Sequence, residues 1–460
     1  MTDILLAHAY YLSRDPAEQR VMRPYVPLGI LSIAAYLDSA GWSTSVFDAT
    51  FRTPEDFAQR LSVERPSVVG IYVNMMTKTN ALMMAAAAKR LGAFVIVGGP
   101  EPPFYADEFL ARNVDAVVVG EGEHTTHELL SALRSGGRDL SRIQGIVFRS
   151  PEGNVIRTSP RPHIETLDDL PFPDRKKVDI DEYLRAWREH HGSTSLSMVT
   201  MRGCPFTCTW CSHAVYGESY RRRSAPHVVR ELRMLDERYH PDAYWFADDV
   251  FTINHAWLFA FADELRKEQL AIRYECITRA DRMNEKVVRA LRDSGCKRLW
   301  IGSESGSQRI LDAMSRRVSV EQVQTMTHLA QANGIEVGMF IMLGYAGETR
   351  EDVEATIRHV RACRPDHLLT TVAYPIKGTA FYSEVRDRLV VPRLPFEQWN
   401  DRMIGITGRY SRRFYWFANR RVVNEAAWIR SSRSPNRSWG KAAVSYIKAK
   451  AAQAFMAVTS

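Results

Sequence analysis

Three of the chain's six cysteines lie within eight residues, in the segment Cys204-Pro-Phe-Thr-Cys208-Thr-Trp-Cys211, with the spacing C-x3-C-x2-C. Packing alone does not explain half of the thiols in so short a segment. Three thiolates on one loop can hold three irons of a [4Fe–4S] cluster and leave the fourth iron open. A cluster that only carries electrons usually has four cysteine ligands. The segment therefore predicts a cluster that binds a further molecule.

Two other uses of these cysteines stay open at this point. A structural zinc ion needs a fourth ligand, which His213 is close enough in sequence to supply. Disulfides need an oxidising compartment, but the first residues, Met-Thr-Asp-Ile-Leu-Leu, lack the basic residues of a signal peptide. The sequence contains no run of eighteen apolar residues, and so no transmembrane helix is predicted. We therefore expect reduced cysteines and a cytoplasmic protein.

The cysteine motif resembles that of the radical S-adenosylmethionine (radical SAM) superfamily, C-x3-C-x-aromatic-C, with Trp210 at the aromatic position. This resemblance implies a [4Fe–4S] cluster held by Cys204, Cys208 and Cys211, with S-adenosylmethionine (SAM) on the open iron. One-electron reduction then cleaves SAM to a 5′-deoxyadenosyl radical, while the protein supplies position and shielding. A flavodoxin or ferredoxin type of electron donor is implied as well.

Strand and helix patterns alternate through residues 191–390, the predicted catalytic domain. A pattern of β/α units predicts a partial (β/α)6 barrel, in which chemistry lies at the carboxyl ends of the strands. The first predicted strand leads directly into the cysteine loop. The predicted strands are residues 195–201, 244–247, 273–278, 298–301, 336–343 and 367–372, and the predicted helices include 226–239, 255–268, 284–294 and 319–333.

Several polar residues at these strand ends are candidate ligands of SAM. The run Gly302-Ser-Glu-Ser-Gly306 resembles the SAM-binding segment of the superfamily. Arg279 is a candidate for bidentate pairing with the SAM carboxylate, and Asp248 or Asp249 for a contact with SAM or substrate. Each of these side chains could instead only cap the following helix. The candidates within the run are Ser303, Glu304 and Ser305.

Two further residues are candidates for a catalytic role in radical chemistry. Cys276 lies on the third predicted strand and is a candidate hydrogen-atom donor. Tyr374 follows the sixth predicted strand, where a phenol could carry a radical. For Cys276 the alternative is an ordinary buried thiol.

Residues 1–140 also alternate between strands and helices, which predicts a doubly wound, Rossmann-like parallel sheet. Ligands of such sheets lie beyond the carboxyl ends of the strands. Predicted strands span residues 3–7, 43–47, 68–73, 94–97 and 116–119. The residues at their ends are the candidates for binding a cofactor: Asn74, Thr77, Gly98, Gly99, Gly120 and Gly122.

Three segments of this first domain resemble the cobalamin-binding domain that precedes many radical SAM barrels: Pro27-Leu-Gly-Ile-Leu, Val97-Gly-Gly-Pro and Val119-Gly-Glu-Gly-Glu. The resemblance implies that residues 1–140 bind cobalamin. The D-x-H-x-x-G motif, whose histidine ligates cobalt in other cobalamin proteins, is absent. The lower cobalt face is then expected to carry water or no ligand. A domain that binds no corrinoid is the alternative.

Residues 141–190 and 391–460 are the remaining two predicted regions. The first contains a β-hairpin at 146–149 and 155–158 and a proline-rich linker at 170–174. The second is basic, aromatic and helical, with a flexible segment at 431–438. The chain carries a net charge of +8, concentrated near its end. We expect this region to close the open side of the barrel; a membrane surface and nucleic acid are less favoured partners.

These features predict a radical SAM enzyme that abstracts hydrogen from an unactivated carbon of a small-molecule, natural-product substrate. Methyl transfer or cyclisation with cobalamin is the favoured reaction. The alternative is a lyase-type radical dehydration of a sugar diol, such as an aminoglycoside, without cobalamin. A non-catalytic iron–sulfur sensor or electron carrier is a third hypothesis, which the barrel and the Gly302–Gly306 run argue against.

Overall fold

The computed structural model describes residues 2–137, 139–433 and 439–459. The predicted flexible segment at 431–438 falls largely outside these described residues. Two sheets of mainly parallel strands, each covered by helices, make up most of the structure.

The first sheet has a doubly wound core. Its strands are β1 (Ile4–His8), β2 (Thr44–Asp48), β3 (Val68–Tyr72), β4 (Phe94–Gly98), β5 (Ala116–Val118), β6 (Ile146–Arg149) and β7 (Val155–Arg157). Within the described residues they form one seven-stranded sheet in the order β2-β1-β3-β4-β5-β6-β7. The first five strands are parallel. The strand order reverses between β1 and β3, and sheets of this type bind ligands at such a reversal.

Helices cover both faces of this sheet, and so its strands are apolar on both sides. Leu5 and Ala7 point to one hydrophobic cluster and Leu6 to another. Proline at the first position and a Thr53–Asp56 capping box begin α3. The helices of this domain are α1 (Pro16–Val21), α2 (Leu28–Ser39), α3 (Pro54–Glu64), α4 (Lys78–Arg90), α5 (Ala106–Leu110) and α6 (Gly122–Arg134).

The β-hairpin that the sequence placed in the linker belongs instead to the first sheet. Strand β6 pairs antiparallel with β5, with Val147 opposite Val117. Val147 and Phe148 are buried on the two faces of the sheet. The hairpin therefore covers the edge of β5, which would otherwise expose unpaired backbone groups. Helix α7 (Ile180–His191) then leads to the second sheet.

The second sheet is the predicted partial barrel. Its strands are β8 (Ser195–Met198), β11 (Ala243–Phe246), β12 (Tyr274–Thr278), β13 (Cys296–Glu304), β14 (Glu336–Leu343) and β15 (His367–Val372). Among the described residues these six strands are all parallel, and each lies beside the next in sequence. The outer layer consists of α8 (Ala225–Tyr239), α9 (His255–Lys267), α10 (Glu285–Asp293), α11 (Gln308–Ala313), α12 (Val320–Ala332), α13 (Arg350–Cys363) and α14 (Ala380–Glu384).

The first strand of the barrel is shorter than predicted. It ends at Met198, and β9 (Met201–Arg202) then pairs antiparallel with β10 (Arg221–Arg222). The interruption has a clear cause, because the carboxylate of Asp248 accepts hydrogen bonds from the backbone N–H and hydroxyl of Thr200. The cysteine loop is thus held at its base by a small two-stranded ribbon.

The C-terminal region ends in two long helices. After β16 (Leu389–Val390) and β17 (Gly405–Ile406) come α15 (Arg412–Arg433) and α16 (Trp439–Thr459). Phe414 and Val422 of α15 are fully buried against Ile341 of β14 and Val353 of α13. Helix α15 therefore extends the outer helix layer, rather than closing the open side of the barrel as the sequence suggested. No helix of the described part of the chain is both long and apolar enough to cross a membrane.

A candidate active site between the two sheets

A cavity of about 780 Å³ lies between the two sheets. The first domain lines it with residues at the carboxyl ends of its strands, including His8 and Tyr72. The barrel contributes Cys204 of the cysteine loop and Asp249. The six cofactor candidates of the first domain line the same cavity: Asn74, Thr77, Gly98, Gly99, Gly120 and Gly122. The structure therefore brings the predicted corrinoid residues and the predicted cluster loop together.

Asn74 and Thr77 shape the turn that leads from β3 into α4. The Asn74 side chain accepts hydrogen bonds from the backbone N–H groups of Met76 and Thr77, at 2.9 and 3.1 Å. The Thr77 hydroxyl accepts a hydrogen bond of 2.9 Å from the N–H of Asn74. These reciprocal bonds fix the turn at the cavity wall.

Two glycines of the cavity wall, Gly99 and Gly122, are required by contacts within the protein. Gly99 has φ +115°, and a Cβ there would lie 2.4 Å from the carbonyl oxygen of Val73. A Cβ on Gly122 would lie 2.5 Å from Cδ1 of Ile33. A side chain at either position would displace the wall of the cavity itself.

The three cysteines of the loop differ in exposure. Cys204 is half-buried, Cys208 is buried and Cys211 is exposed. Burial is the main reason that the pKa of the Cys204 thiol is raised. A thiolate at this position therefore needs nearby positive charge.

Two arginines supply positive charge at Cys208. Nη1 of Arg279 and Nη1 of Arg316 each lie 3.5 Å from the Cys208 sulfur. Both side chains are buried, and Arg316 also donates a hydrogen bond of 2.6 Å to the carbonyl of Gly302. The site thus offers three thiolates and two guanidinium groups, a donor set that suits an iron–sulfur cluster.

Arg279 lies at the predicted strand end but makes different contacts from the one predicted. Four of its five N–H groups already have partners: two bond to Asp281, one to Cys208 and one to the carbonyl of Arg316. Its guanidinium also lies 3.8 Å from the ring centre of Phe206. A bidentate contact with the SAM carboxylate is not available in this arrangement, so Arg279 holds the cysteine loop.

Within the run Gly302–Gly306, Glu304 is the residue that lies beside the cysteine loop. Its charge contributes to the raised pKa of Cys211, and its carboxylate is 4.0 Å from Nη2 of Arg316. Its backbone is left-handed, with φ 63°, which is strained for a residue other than glycine. Burial raises the pKa of the carboxyl, although Arg316 and Arg279 oppose this.

Ser303 and Ser305 point away from the cysteine loop, contrary to the prediction. The Ser303 hydroxyl is 2.8 Å from Nε2 of His359, and the Ser305 hydroxyl is 3.2 Å from that of Thr356. Both partners lie on α13, and both serine side chains are fully buried. The side chain of Glu304, between them, faces Arg316 instead. The two serines bind the barrel to its outer helix.

Only one of the two candidate aspartates after β11 faces the cavity. Asp248 is 1% exposed and accepts hydrogen bonds from Thr200 and from Arg222, the latter at 2.7 Å. Asp248 therefore has a structural role and fixes the chain at Thr200 and Arg222. Asp249, in contrast, lines the cavity. The walls of the cavity and the charge of Asp248 raise its pKa, while His213 lowers it.

Three other predicted residues lie outside the cavity. Cys276 is fully buried, and burial raises its pKa well above the usual value. Tyr374 is half-buried, with the Arg402 guanidinium 5.6 Å from its ring centre. Trp210 packs against a hydrophobic cluster that includes Met314 and fixes the cysteine loop there. None of the three is among the residues that line the described cavity.

The sequence did not indicate the ionic contacts that join the two domains. Arg202 of β9 pairs with Glu121 and Glu123 at 2.6 and 2.5 Å, and Arg221 of β10 pairs with Glu121 at 2.7 Å. We call these four residues the interdomain clamp. Burial would raise the pKa of Glu121, but Arg202 outweighs it and the pKa is lowered. Arg316 was missed too, because a hydrophobic pattern does not identify a buried arginine.

The walls of the cavity fit a large amphipathic cofactor such as a corrinoid. Aliphatic residues, including Leu6 and Ile30, line it together with charged and aromatic residues such as Arg23 and Tyr25. Among the described residues no three His, Cys, Asp or Glu side chains converge as a single-ion site requires. A cubane cluster instead binds each thiolate through a different iron.

Comparison with known proteins supports both halves of this site. The Radical SAM superfamily model matches residues 198–360, and the B12 binding domain model matches residues 20–130. An uncharacterized methyltransferase of Pyrococcus horikoshii is 34% identical over 342 residues, which cover 73% of this chain and 72% of that protein. The anaerobic magnesium-protoporphyrin IX monomethyl ester cyclase of Rubrivivax gelatinosus is 26% identical over 385 residues, 81% of this chain and 68% of that protein.

The fold is also similar to that of a solved structure. The radical SAM methyltransferase TsrM from Kitasatospora setae, with cobalamin and a [4Fe–4S] cluster bound, aligns with a TM-score of 0.72 and 20% identity. The alignment covers 88% of this chain and 80% of that one. The cofactors are those of these domains: a [4Fe–4S] cluster, SAM and cobalamin. The chain therefore belongs to the radical SAM superfamily, among the enzymes whose barrel follows an N-terminal B12-binding domain.

Proposed function

We propose that the protein is a cobalamin-dependent methyltransferase that acts on an unactivated carbon of a small molecule. The observation that carries this proposal is the shared cavity, which Cys204 and the strand ends of the B12-binding domain line together. A radical source and a methyl donor must reach the same carbon, and holding them in one cavity supplies the required proximity. The relative from Pyrococcus horikoshii, named as a methyltransferase, supports the same reaction class.

The residues of the barrel then have distinct roles. Cys204, Cys208 and Cys211 hold the cluster, while Arg279 and Arg316 stabilise the buried thiolate of Cys208. When bound, the cluster supplies an electron that cleaves SAM, and cobalamin supplies the methyl group. Glu304 accepts a hydrogen bond from the amino group of SAM, because a carboxylate is a strong acceptor for N–H donors.

The electron comes from a small acidic carrier of the flavodoxin or ferredoxin type. Reductive cleavage of SAM needs an external one-electron donor, which carriers of this type supply. Walls on both sides of the cavity shield the radical from water.

The test is SAM cleavage by protein reconstituted without oxygen with iron, sulfide and hydroxocobalamin. We expect stoichiometric cluster and corrinoid, and 5′-deoxyadenosine after reduction. The variant with Cys204, Cys208 and Cys211 all changed to Ala should lose iron and SAM cleavage, while the control Cys363→Ala, a buried thiol on α13, keeps both. Unchanged iron content in the triple variant would refute the proposed cluster site.

Cyclisation is the second candidate, because the relative from Rubrivivax gelatinosus is named as a cyclase. SAM with a labelled methyl group separates the candidates when the reduced enzyme is incubated with a host-cell extract. Methyl transfer leaves the label in a product, and cyclisation leaves an unlabelled product with fewer hydrogens. A product that has lost water, formed without bound corrinoid, would favour radical dehydration instead.

A further inference from the structure

Helix α16 carries apolar residues on two opposite sides. Ala449 and Met456 are at most 1% exposed and pack on the rest of the protein. On the other side, Val444, Ile447 and Phe455 are 49%, 64% and 54% exposed. Their spacing of three and eight residues places them along one line of the helix surface. We call these three residues the α16 stripe.

The α16 stripe continues onto helix α15. Phe455 stacks on Phe417, with ring centres 4.9 Å apart, and the ring centres of Phe417 and Trp416 are 4.8 Å apart. Trp416 is itself 52% exposed. A surface helix normally carries its apolar residues on one side, which it buries against the rest of the protein. The outer side of this hairpin therefore has the composition of a surface that binds an apolar partner.

The charge of the hairpin indicates the chemistry of that partner. Residues 412–459 contain ten Lys and Arg and one acidic residue, a net charge of +9, compared with +8 for the whole chain. The one acidic residue, Glu425, is buried and bonds to Arg361. Lys448 and Lys450 are exposed beside the α16 stripe. The partner must therefore combine negative charge with an apolar interior.

We infer that the α15–α16 hairpin is a peripheral anchor for an anionic lipid bilayer. Apolar residues along one side of a surface helix enter the boundary between headgroups and acyl chains, while neighbouring cations contact anionic headgroups. Val444 and Ile447 fit the first role, and Lys448 and Lys450 fit the second. Trp416 has the amphipathic ring that favours this interface.

Two other partners fit this surface less well. Nucleic acid is bound through cations and stacked rings, and it would leave the aliphatic side chains of Val444 and Ile447 in water. A second copy of this chain, docked symmetrically, would bring two hairpins of the same strong positive charge together. An anionic bilayer satisfies both the charge and the apolar stripe.

The experiment is flotation of the anaerobically prepared holoenzyme with vesicles of phosphatidylcholine, with or without phosphatidylglycerol. We expect binding to the anionic vesicles that weakens as salt is raised, and little binding to the neutral ones. Single-stranded nucleic acid at the same salt concentrations and the oligomeric state by light scattering are measured in parallel. Iron and corrinoid content and circular dichroism verify that every variant is folded.

Two pairs of variants separate the apolar and the charged contributions. Ile447→Asp should weaken binding to the anionic vesicles at least tenfold, while the control Val63→Asp, at a residue 75% exposed on α3, should not. Lys448→Glu should weaken it at least fivefold, since each basic side chain near a membrane contributes about that factor. Its control is Lys267→Glu, whose side chain is 69% exposed on α9.

Three outcomes would overturn the inference. The first is equal binding of the anionic and neutral vesicles, or none of either. The second is unchanged vesicle binding by Ile447→Asp and Lys448→Glu. The third is tight binding of nucleic acid, or a dimer, that Ile447→Asp abolishes while vesicles are not bound.

Discussion

Glu304 shows how a single residue links the strained backbone of the barrel to the proposed chemistry. It holds a left-handed conformation at the end of β13, where the register with β14 shifts. Strain of this kind persists where the surrounding structure fixes it, and it concentrates at functional sites. The bonds from Ser303 and Ser305 to α13 fix the residues on either side. Together they aim one carboxylate at the cysteine loop.

The first prediction concerns Glu304→Gln. Glutamine keeps the size of the side chain but replaces a charged hydrogen-bond acceptor of the SAM amino group by a neutral amide, so SAM binding should weaken roughly tenfold or more. Equilibrium dialysis with the reconstituted enzyme measures this. Ser303→Ala is the control, because that hydroxyl bonds to His359, and its SAM affinity should stay within about twofold. Wild-type affinity in Glu304→Gln would reduce Glu304 to a structural residue.

The second prediction is a loss of stability in acid caused by His359. Burial lowers the pKa of this side chain from 6.5 to about 4. Because the unfolded chain binds the proton first, the contribution of His359 is fully present above pH 6.5 and is lost as the pH falls towards 4. A shift of this size corresponds to about 3 kcal/mol.

Urea unfolding at several pH values in this range measures the contribution of His359. His359→Gln should flatten the dependence of the unfolding free energy on pH. The exposed residue His328, changed to Gln on α12, is the matched control and should leave the slope unchanged. The same slope in His359→Gln and the wild type would mean that other groups cause the loss.

Turns between strands and helices are the elements that build the cavity wall of the first domain. Gly99 follows β4, and the N–H of Val73 donates a hydrogen bond of 2.8 Å to the carbonyl of Gly98. The neighbouring turns after β3 and β5 meet at the same edge of the sheet. A small displacement of one turn therefore changes the shape of the whole wall.

The third prediction tests this element with Gly99→Ala. Its Cβ would lie 2.4 Å from the carbonyl of Val73 and adopt φ +115°, so we expect a loss of about 2 kcal/mol in stability and weaker corrinoid retention. Gly92→Ala is the control: it has φ +81° but nothing within 4 Å of its Cβ. Retention of hydroxocobalamin after desalting measures the effect. Equal corrinoid retention by the two variants would contradict a specific role for the turn.

At the scale of the whole molecule, the interdomain clamp holds the cluster loop against the B12-binding domain. Glu121 comes from the turn after β5 and Glu123 from the first turn of α6, while Arg202 and Arg221 come from the ribbon that closes the cysteine loop. The side chains of all four residues are at most 12% exposed. The clamp therefore sets the distance between the two cofactor sites.

The fourth prediction concerns Glu121→Gln. Removing one partner of a buried ionic group leaves charge uncompensated, and the unfolding free energy should fall by about 3 kcal/mol. Thermal unfolding of the apoprotein should separate into two transitions as the domains uncouple. Asp263→Asn is the control, since it breaks an exposed pair with Arg266 and should change stability by less than about 1 kcal/mol. A single unchanged transition would show that the clamp is not needed for coupling.

The sequence predicted the strands and helices of both domains well, but not the direction of individual side chains. Periodicity identifies a strand and its end, and so Asp248, Arg279 and Ser303 were all placed correctly at strand ends. Which of two neighbouring side chains faces the cavity depends on bulges and on partners far away in sequence. The Asp248 carboxylate is held by Thr200, and Asp249 took the predicted place at the cavity wall.

The amino-acid sequence by itself determined the two domains, the order of their strands along the chain and the three-cysteine motif, because these depend on local pattern and residue type. Only the tertiary structure decided that both sites share one cavity, that Glu121 and Glu123 help to form it, and that Arg316 contacts the cysteine loop. Contacts of this kind join residues far apart in sequence, such as Arg316 and Cys208. Their geometry follows from packing and burial, which no local pattern of residues contains.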